Sequence, residues 1–361
     1  ESMTQESKTP QFDRALDAIL VDLKPSDHTC AECKAPFYIF ADDIEFYQRM
    51  RVPPPTACPD CRRQKRLAFT NYTTFYRRPC DVPGHHEEMI ASMPAPAPFP
   101  VYDYDYYWSD AWDAVSFRKP YDPARPFLMQ LEELFKRVPQ PALTRDPSNV
   151  GSEYTYYGGH LKNCYYTFGG ITSENVHYSN WALYARDCMD TLLAFNAEGV
   201  YEGVFAERCH NVSFAYFSRE CLDSAFLYDC RGCSHCFGGV NLRNKKFCFF
   251  NEELTEGEYR QKIRDINLGS GTTVNEYKKR FWELVKRLPV RANRIEHSTD
   301  SSGNFILNSK HCHRCFWIWT SENLRYGDFT MEMRDSMDFA ISHKTERLYE
   351  TAVVTVESFN V

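Results

Sequence analysis

A twelve-residue period runs through the second half of this chain and is heard twice. Cys164, Val176, Cys188, Val200 and Val212 each lie twelve residues after the last, preceded by Asn163, Asn175, Asp187, Gly199 and Asn211. The beat returns at Cys312, Leu324, Ser336 and Leu348, and the two copies superpose without a gap at an offset of 148 residues. Thr172-Ser173-Glu174-Asn175 falls on Thr320-Ser321-Glu322-Asn323, and Met189-Asp190 falls on Met337-Asp338. A fixed period signals stacked units, each of which buries its apolar face only against its neighbours. The expected fold class is mainly β: a duplicated β-helix or solenoid of 12-residue half-coils, with an N-terminal zinc ribbon and a helical hairpin insert. In Asn175-Val176-His177-Tyr178, strand alternation puts Val176 and Tyr178 on one face. The Asn, Asp or Gly before each beat suits the left-handed backbone of a corner. Two units would make a coil of about 24 residues, adding about 4.8 Å of height. After Val212 the spacing tightens to nine, through Cys221 and Cys230, which predicts smaller or reshaped coils.

Within 361 residues there is room for two or three domains and a large core. The pattern divides into a helix over 1–24, the ribbon over 25–90, an aromatic, Pro-rich connector and helix over 91–150, and a first repeat block over 151–251. A helical hairpin over 252–295 and an incomplete second block over 296–361 follow. Thr255 and Glu258 have capping-box spacing for the first hairpin helix. A net charge of −7 argues against a uniformly basic nucleic-acid binder. No apolar run approaches the ~18–20 residues that span a bilayer, and Glu1–Gln11 is polar, so no membrane and a cytoplasmic setting are expected. Fifteen cysteines without an export signal fit metal ligands and core packing better than disulfides. The second block stops at Val361 without the Cys-rich continuation of the first, so the native chain is expected to run on, or to pair through this open end with a protein partner or with itself.

Cys30-x2-Cys33 and Cys58-x2-Cys61 are the strongest local signal. Two such pairs suit one tetrahedral structural Zn2+, with all four positions filled and none left for a reacting water. Cys30-Ala-Glu-Cys33-Lys-Ala-Pro-Phe37, then Phe46-Tyr47, then Cys58-Pro59-Asp-Cys61-Arg62 resembles the zinc-ribbon domain of bacterial and plant proteins, with Lys34 standing where that domain has Gly. The wider chain resembles an uncharacterised bacterial family through Phe99-Pro-Val-Tyr102-Asp, Trp108-Ser-Asp and Cys236-Phe-Gly-Gly. That resemblance implies an architecture of ribbon and repeats, and no established activity.

Arg62, Arg63, Lys65, Arg66, Arg77 and Arg78 follow the second cysteine pair, with Tyr72 and Tyr76 interleaved. Guanidinium forks beside aromatic faces suit phosphates and unstacked bases, so a nucleic acid or ribonucleoprotein partner is expected here. A solvated basic face, or docking on the acidic Asp103–Asp113 segment, is the bland alternative. Other thiols leave metal binding open: Cys230-x2-Cys233-x2-Cys236 near Cys209 and Cys221, the His311-Cys312-His313-x-Cys315 run, and Cys80 with His85-His86. Asp190 and Glu202 recur as Asp338 and Glu350. A catalytic pair repeated at a fixed offset is less expected than a structural device repeated with the fold. The reading is therefore a non-catalytic, zinc-binding scaffold contacting nucleic acid through its ribbon. A protein–protein scaffold and a carbohydrate-active β-helix enzyme are the alternatives.

Overall fold

The computed structural model describes residues 10–352, except 69, 70, 72, 86, 313, 314, 322–326, 328, 329, 339–344, 348 and 350; of residues 321, 330–335 and 345–347 it describes the backbone alone. Among the described residues the fold is mainly β with seven α-helices. It divides into two compact units: the residues up to 71 with those from 291 onward, and residues 72–290.

In the repeat block of the second unit, from Thr155 to Phe249, the strands pair in parallel at a constant register of twelve. Val176 faces Cys188, Ala182 faces Ala194, Val200 faces Val212 and Leu227 faces Gly239. One full turn of chain therefore takes twelve residues, not the ~24 expected from half-coils. Six strands close into a ring of pairings: Ile171–Leu183, Arg186–Met189, Glu198–Tyr201, His210–Tyr216, Val204–Glu207 and Leu192–Phe195. Closure follows because Ile171–Leu183, thirteen residues long, runs through a full turn and bonds one strand over Glu174–His177 and another over Asn180–Leu183.

The backbone explains why twelve residues suffice. From Tyr157 to Phe250 every third residue has a left-handed φ, including Tyr166, Trp181, Leu193, Arg208 and Phe226 as well as the expected Asn163, Asn175, Asp187, Gly199 and Asn211. Each such corner is followed by an inward residue and then an outward one. Ser173, Val176, Ser179, Ala182, Ala185 and Cys188 are all at most 3% exposed. Four such triplets close one turn. Period three thus replaces the alternation expected for the strands: Val176 is buried, while Tyr178, itself a corner at φ 50°, is 52% exposed. The spacing of nine is three triplets, so Cys221 and Cys230 occupy different inward columns of turns of unchanged size. The register is still twelve where Ala225 faces Phe237 and Phe237 faces Phe249.

Four side chains share the inside of each turn, so they must be small. Ala, Cys, Ser, Thr, Gly and Val fill the inward positions from Ser173 to Ala215, and this narrow bore is why so many cysteines fall on the beat. A left-handed non-glycine residue costs about 1 kcal/mol or more, comparable with the ~1 kcal/mol net of one hydrogen bond. Stacked turns offset it twice. The corner N–H of Asp190 donates to the His177 carbonyl at 3.1 Å, and corner side chains stack on the next turn, Asn175 on Asp187 at 2.7 Å and Phe214 on Phe226 at 4.6 Å between rings. Inward hydroxyls are also satisfied, Ser173 donating to the Ala182 carbonyl at 3.0 Å. At Gly169, a corner at φ 67°, a Cβ would lie 2.6 Å from the Trp181 ring.

Helices Glu256–Arg264 and Gly271–Arg287 follow the last turn; the first has its Thr255–Glu258 capping box and the second is capped by Ser270. Tyr259, Phe281 and Val285 bury against Phe214 and Phe226, two corner side chains, and Phe237, an outward one.

The first unit joins the ribbon to the second repeat block. Helices Asp13–Asp22, Ala41–Met50 and Pro59–Leu67 accompany the hairpin Ser26–Thr29/Pro36–Ile39. Leu20, Ile39, Ile44, Phe46, Tyr47 and Met50 share a core with Met337. The block repeats the register of twelve, Ile306 facing Ile318 and Met333 facing Thr345, after a first step of eleven from Ile295 to Ile306. Cys312, Cys315 and Ser336 are fully buried. Leu324, Leu348 and the chain end at Val361 lie outside the described residues. Among the described residues no helix is long and apolar enough to cross a membrane.

Candidate metal centre

The four ribbon cysteines converge. The Sγ atoms of Cys30, Cys33, Cys58 and Cys61 all lie within 4.8 Å of one another, and Cys33 and Cys58 approach to 3.7 Å. A tetrahedron of ~2.3 Å metal–sulfur bonds has edges of ~3.8 Å. Cys30 starts the loop of the Ser26–Thr29/Pro36–Ile39 hairpin, and Cys58 is the N-cap of helix Pro59–Leu67, which places Cys61 one turn on. The loop closes when the Cys30 N–H donates to the Ala35 carbonyl at 2.9 Å and the Ala31 N–H to the Thr56 carbonyl at 2.9 Å. Lys34 occupies a left-handed position at φ 64°, which accounts for Gly at this place in the ribbon pattern, and its Nζ caps the Ala31 carbonyl at 2.8 Å.

These thiols cannot all ionise together without a cation. The Cys58 N–H, donating to Cys30 Sγ at 3.2 Å, lowers the Cys30 pKa to about 6. Burial raises the Cys58 thiol, and its neighbour Cys33 helps push Cys61 up to about 12. The Cys30 thiolate forms readily while Cys58 and Cys61 resist ionising, so a divalent cation would stabilise the ionised set. Cys30 and Cys58 are buried, Cys61 is half-buried and Cys33 is exposed.

The basic residues beyond the centre divide. Arg62 and Arg66, one turn apart on helix Pro59–Leu67, are buried against Asp338, which is 0% exposed. Arg62 donates to Asp338 Oδ2, and Arg66 lies 3.6 Å from Oδ1. For these two, intramolecular docking occurs within their own unit, on the second repeat block. Arg63 and Lys65 are exposed, Lys65 pairing with Glu32 at 2.7 Å. In the other unit Arg78 is buried, holding Asp81 at 2.5 Å and the Pro94 carbonyl at 2.8 Å; Arg77 is exposed, 3.9 Å from Glu88. Tyr76 is half-buried, and Tyr72 lies outside the described residues.

The duplicated carboxylates hold different partners. Asp338 takes the ribbon's arginines, whereas Asp190, its counterpart, is exposed. Glu202 accepts from Lys278 of the second hairpin helix at 2.5 and 2.8 Å, with that ammonium 4.7 Å from the Phe214 ring centre. Glu350 lies outside the described residues. These are attachment points for elements outside the repeat. Cys209, Cys221, Cys230, Cys233 and Cys236 point into the bore, and among the described residues they do not gather with His or carboxylate side chains into a metal group. The same holds for Cys312 and Cys315, while His311 pairs with Asp300 at 2.9 Å and His313 lies outside the described residues. Sequence reasoning missed Asp338 as the partner of Arg62, which stands 276 positions away. The only signal was its match to Asp190 in a repeat position that one copy leaves bare.

No family model matches the chain. No curated protein matches it. What the residues establish is a β-rich fold and a four-cysteine cluster able to hold a metal ion.

Proposed function

We propose that this chain is a non-catalytic scaffold organised by one structural Zn2+ at Cys30, Cys33, Cys58 and Cys61, with both repeat blocks forming β-solenoids that offer a long surface to a protein partner. The observation that carries the reading is the convergence of four Sγ atoms with, among the described residues, no other donor in the group. A closed tetrathiolate site leaves no position for substrate or water, so its ion folds the ribbon rather than reacting. The twelve-residue register and the bore of small side chains support the solenoid reading. Arg62 and Arg66 face inward to Asp338, so a nucleic-acid role would fall to Arg63, Lys65 and Arg77. For that reason the protein–protein scaffold is preferred. Fifteen free thiols suit a reducing, cytoplasmic setting.

The test is X-ray absorption at the metal edge after loading with one equivalent of Zn2+. Four sulfur neighbours at ~2.3 Å are expected; an oxygen or nitrogen in place of a sulfur contradicts the closed site. Retention on RNA or DNA that vanishes in Arg63→Ala/Lys65→Ala/Arg77→Ala would restore the nucleic-acid reading.

A further inference from the structure

A second group of donors, in the unit of residues 72–290, repeats the frame of the first. Cys80 starts the loop of an antiparallel hairpin, Tyr76–Pro79/Glu88–Ala91, as Cys30 does in its own. Asp103 is the N-cap of the short helix Tyr104–Tyr107, as Cys58 is of Pro59–Leu67. The hydrogen bonds correspond one by one. The Cys80 N–H donates to the Glu87 carbonyl at 3.2 Å, as Cys30 does to Ala35 at 2.9 Å. The next residue, Asp81, donates to Val101 at 3.0 Å, two positions before the N-cap, as Ala31 does to Thr56 at 2.9 Å. The N-cap N–H then reaches the thiol: Asp103 to Cys80 Sγ at 3.3 Å, against Cys58 to Cys30 Sγ at 3.2 Å. The first knuckle's remaining thiols correspond in this frame to Pro83 and Tyr106. In their stead Gly84, at φ 87°, turns the loop so that His85 comes back over the site.

We propose that Cys80, His85 and Asp103 form a second metal site, for a borderline divalent cation of the Zn2+ class, with a fourth position open to solvent. One donor atom from each of Cys80, His85 and Asp103 lies within 4.8 Å of the other two. Sγ stands 3.5 Å and Nδ1 3.6 Å from the carboxylate oxygen. The first is also a normal thiol hydrogen-bond length and the second is long for a nitrogen–oxygen one; both match the ~3.4–3.6 Å edges of a tetrahedron built on zinc–sulfur, zinc–nitrogen and zinc–oxygen bonds. Binding releases the Cys80 thiol proton to solvent and needs Nδ1 unprotonated. Cys80 is 6% exposed, whereas the side chains of His85 and Asp103 are 46% and 28% exposed. The sulfur is therefore sheltered and the ion would face water on the histidine side, unlike the closed tetrathiolate.

The experiment counts metal. The full chain is equilibrated with excess Zn2+, passed through a desalting column and analysed for bound ion. Two per chain are expected, falling to one in His85→Ala and in Cys80→Ser. His85 is largely exposed, so its replacement leaves the fold intact if the sulfur variant does not. A Cys58→Ser variant should lose the other ion and keep the one at Cys80. One ion in the wild-type chain overturns the proposal, and so do two ions retained by both His85→Ala and Cys80→Ser.

Discussion

Replacing Asp338 with Ala removes a fully buried carboxylate against which two guanidinium groups are buried, Arg62 at 4% and Arg66 at 8% side-chain exposure. Breaking a buried pair by deleting one partner costs about 3–5 kcal/mol, because the remaining charge stays out of water. Two cations lose this partner at once, so a cost within that range is expected, less whatever solvent the freed cavity admits. For comparison, breaking the exposed Lys65–Glu32 pair, 59% and 51% exposed, should matter far less, because solvent already screens it. The loss should concentrate in the unit that holds both partners. Hydrogen exchange followed by mass spectrometry, read on helix Pro59–Leu67 and strand Cys315–Ser321, would report it as a fall in local opening free energy. A double-mutant cycle with Arg62→Ala should show a coupling above about 1 kcal/mol. Replacing all three charged side chains together by apolar ones of similar size should be far milder than Asp338→Ala. A loss below about 1 kcal/mol for Asp338→Ala would refute the burial argument, and with it the inward role of the ribbon's arginines.

Three further outcomes are expected. Ala194→Leu, at a fully buried inward position, should destabilise the second unit by about 1–3 kcal/mol or more through overpacking, whereas Leu222→Ala, 44% exposed, should stay within about 0.5 kcal/mol; thermal melts that rank them the other way contradict the bore. Metal uptake by the ribbon should weaken as pH falls. Cys30, lowered to about 6, is already a thiolate at neutral pH, while Cys58 and Cys61, both raised, must shed protons. Below about 6 Cys30 becomes a further proton competitor, so the slope of affinity against pH should steepen there; a chelator titration with flat affinity from about pH 5 to 8 contradicts this. Lys278→Ala should loosen the second hairpin helix by only about 1 kcal/mol, since that pair is nearly a third exposed, seen as faster exchange in Gly271–Arg287; no change in exchange there would remove Glu202 as an attachment point.

The stacking itself was readable from the beat, because a twelve-residue turn puts Cys164, Val176 and Cys188 in one inward column whatever the corner geometry. The size of the turn was not. Alternation assumes extended backbone at every residue, and nothing in the identities of Tyr166, Trp181 or Phe226 announces a left-handed φ. Those residues hold it because the turns above and below impose it. A clue was present in the small residues at every third place, Ala182, Ala185, Cys188, then Thr191, Ala194 and Ala197, which only a narrow bore requires. The cysteine centre was legible because its spacing is set by local loop geometry. The fate of Arg62 was not, since a basic run reads the same whether it faces solvent or a carboxylate from a distant repeat. Cys80 and His85 drew notice as a thiol near a histidine pair. Asp103 joined them only once backbone hydrogen bonds showed the shared frame.

The twelve-residue full turn is tested most directly by distances between spin labels carried on unnatural amino acids at outward positions of one column, such as Lys162, Arg186, His210 and Ser234. Neighbouring turns sit ~4.8 Å apart, so each added twelve residues should lengthen the separation by that amount, to about 19 Å between 162 and 210 once label geometry is subtracted. A rise of about half that per twelve residues, as a coil twice as long would give, contradicts the account.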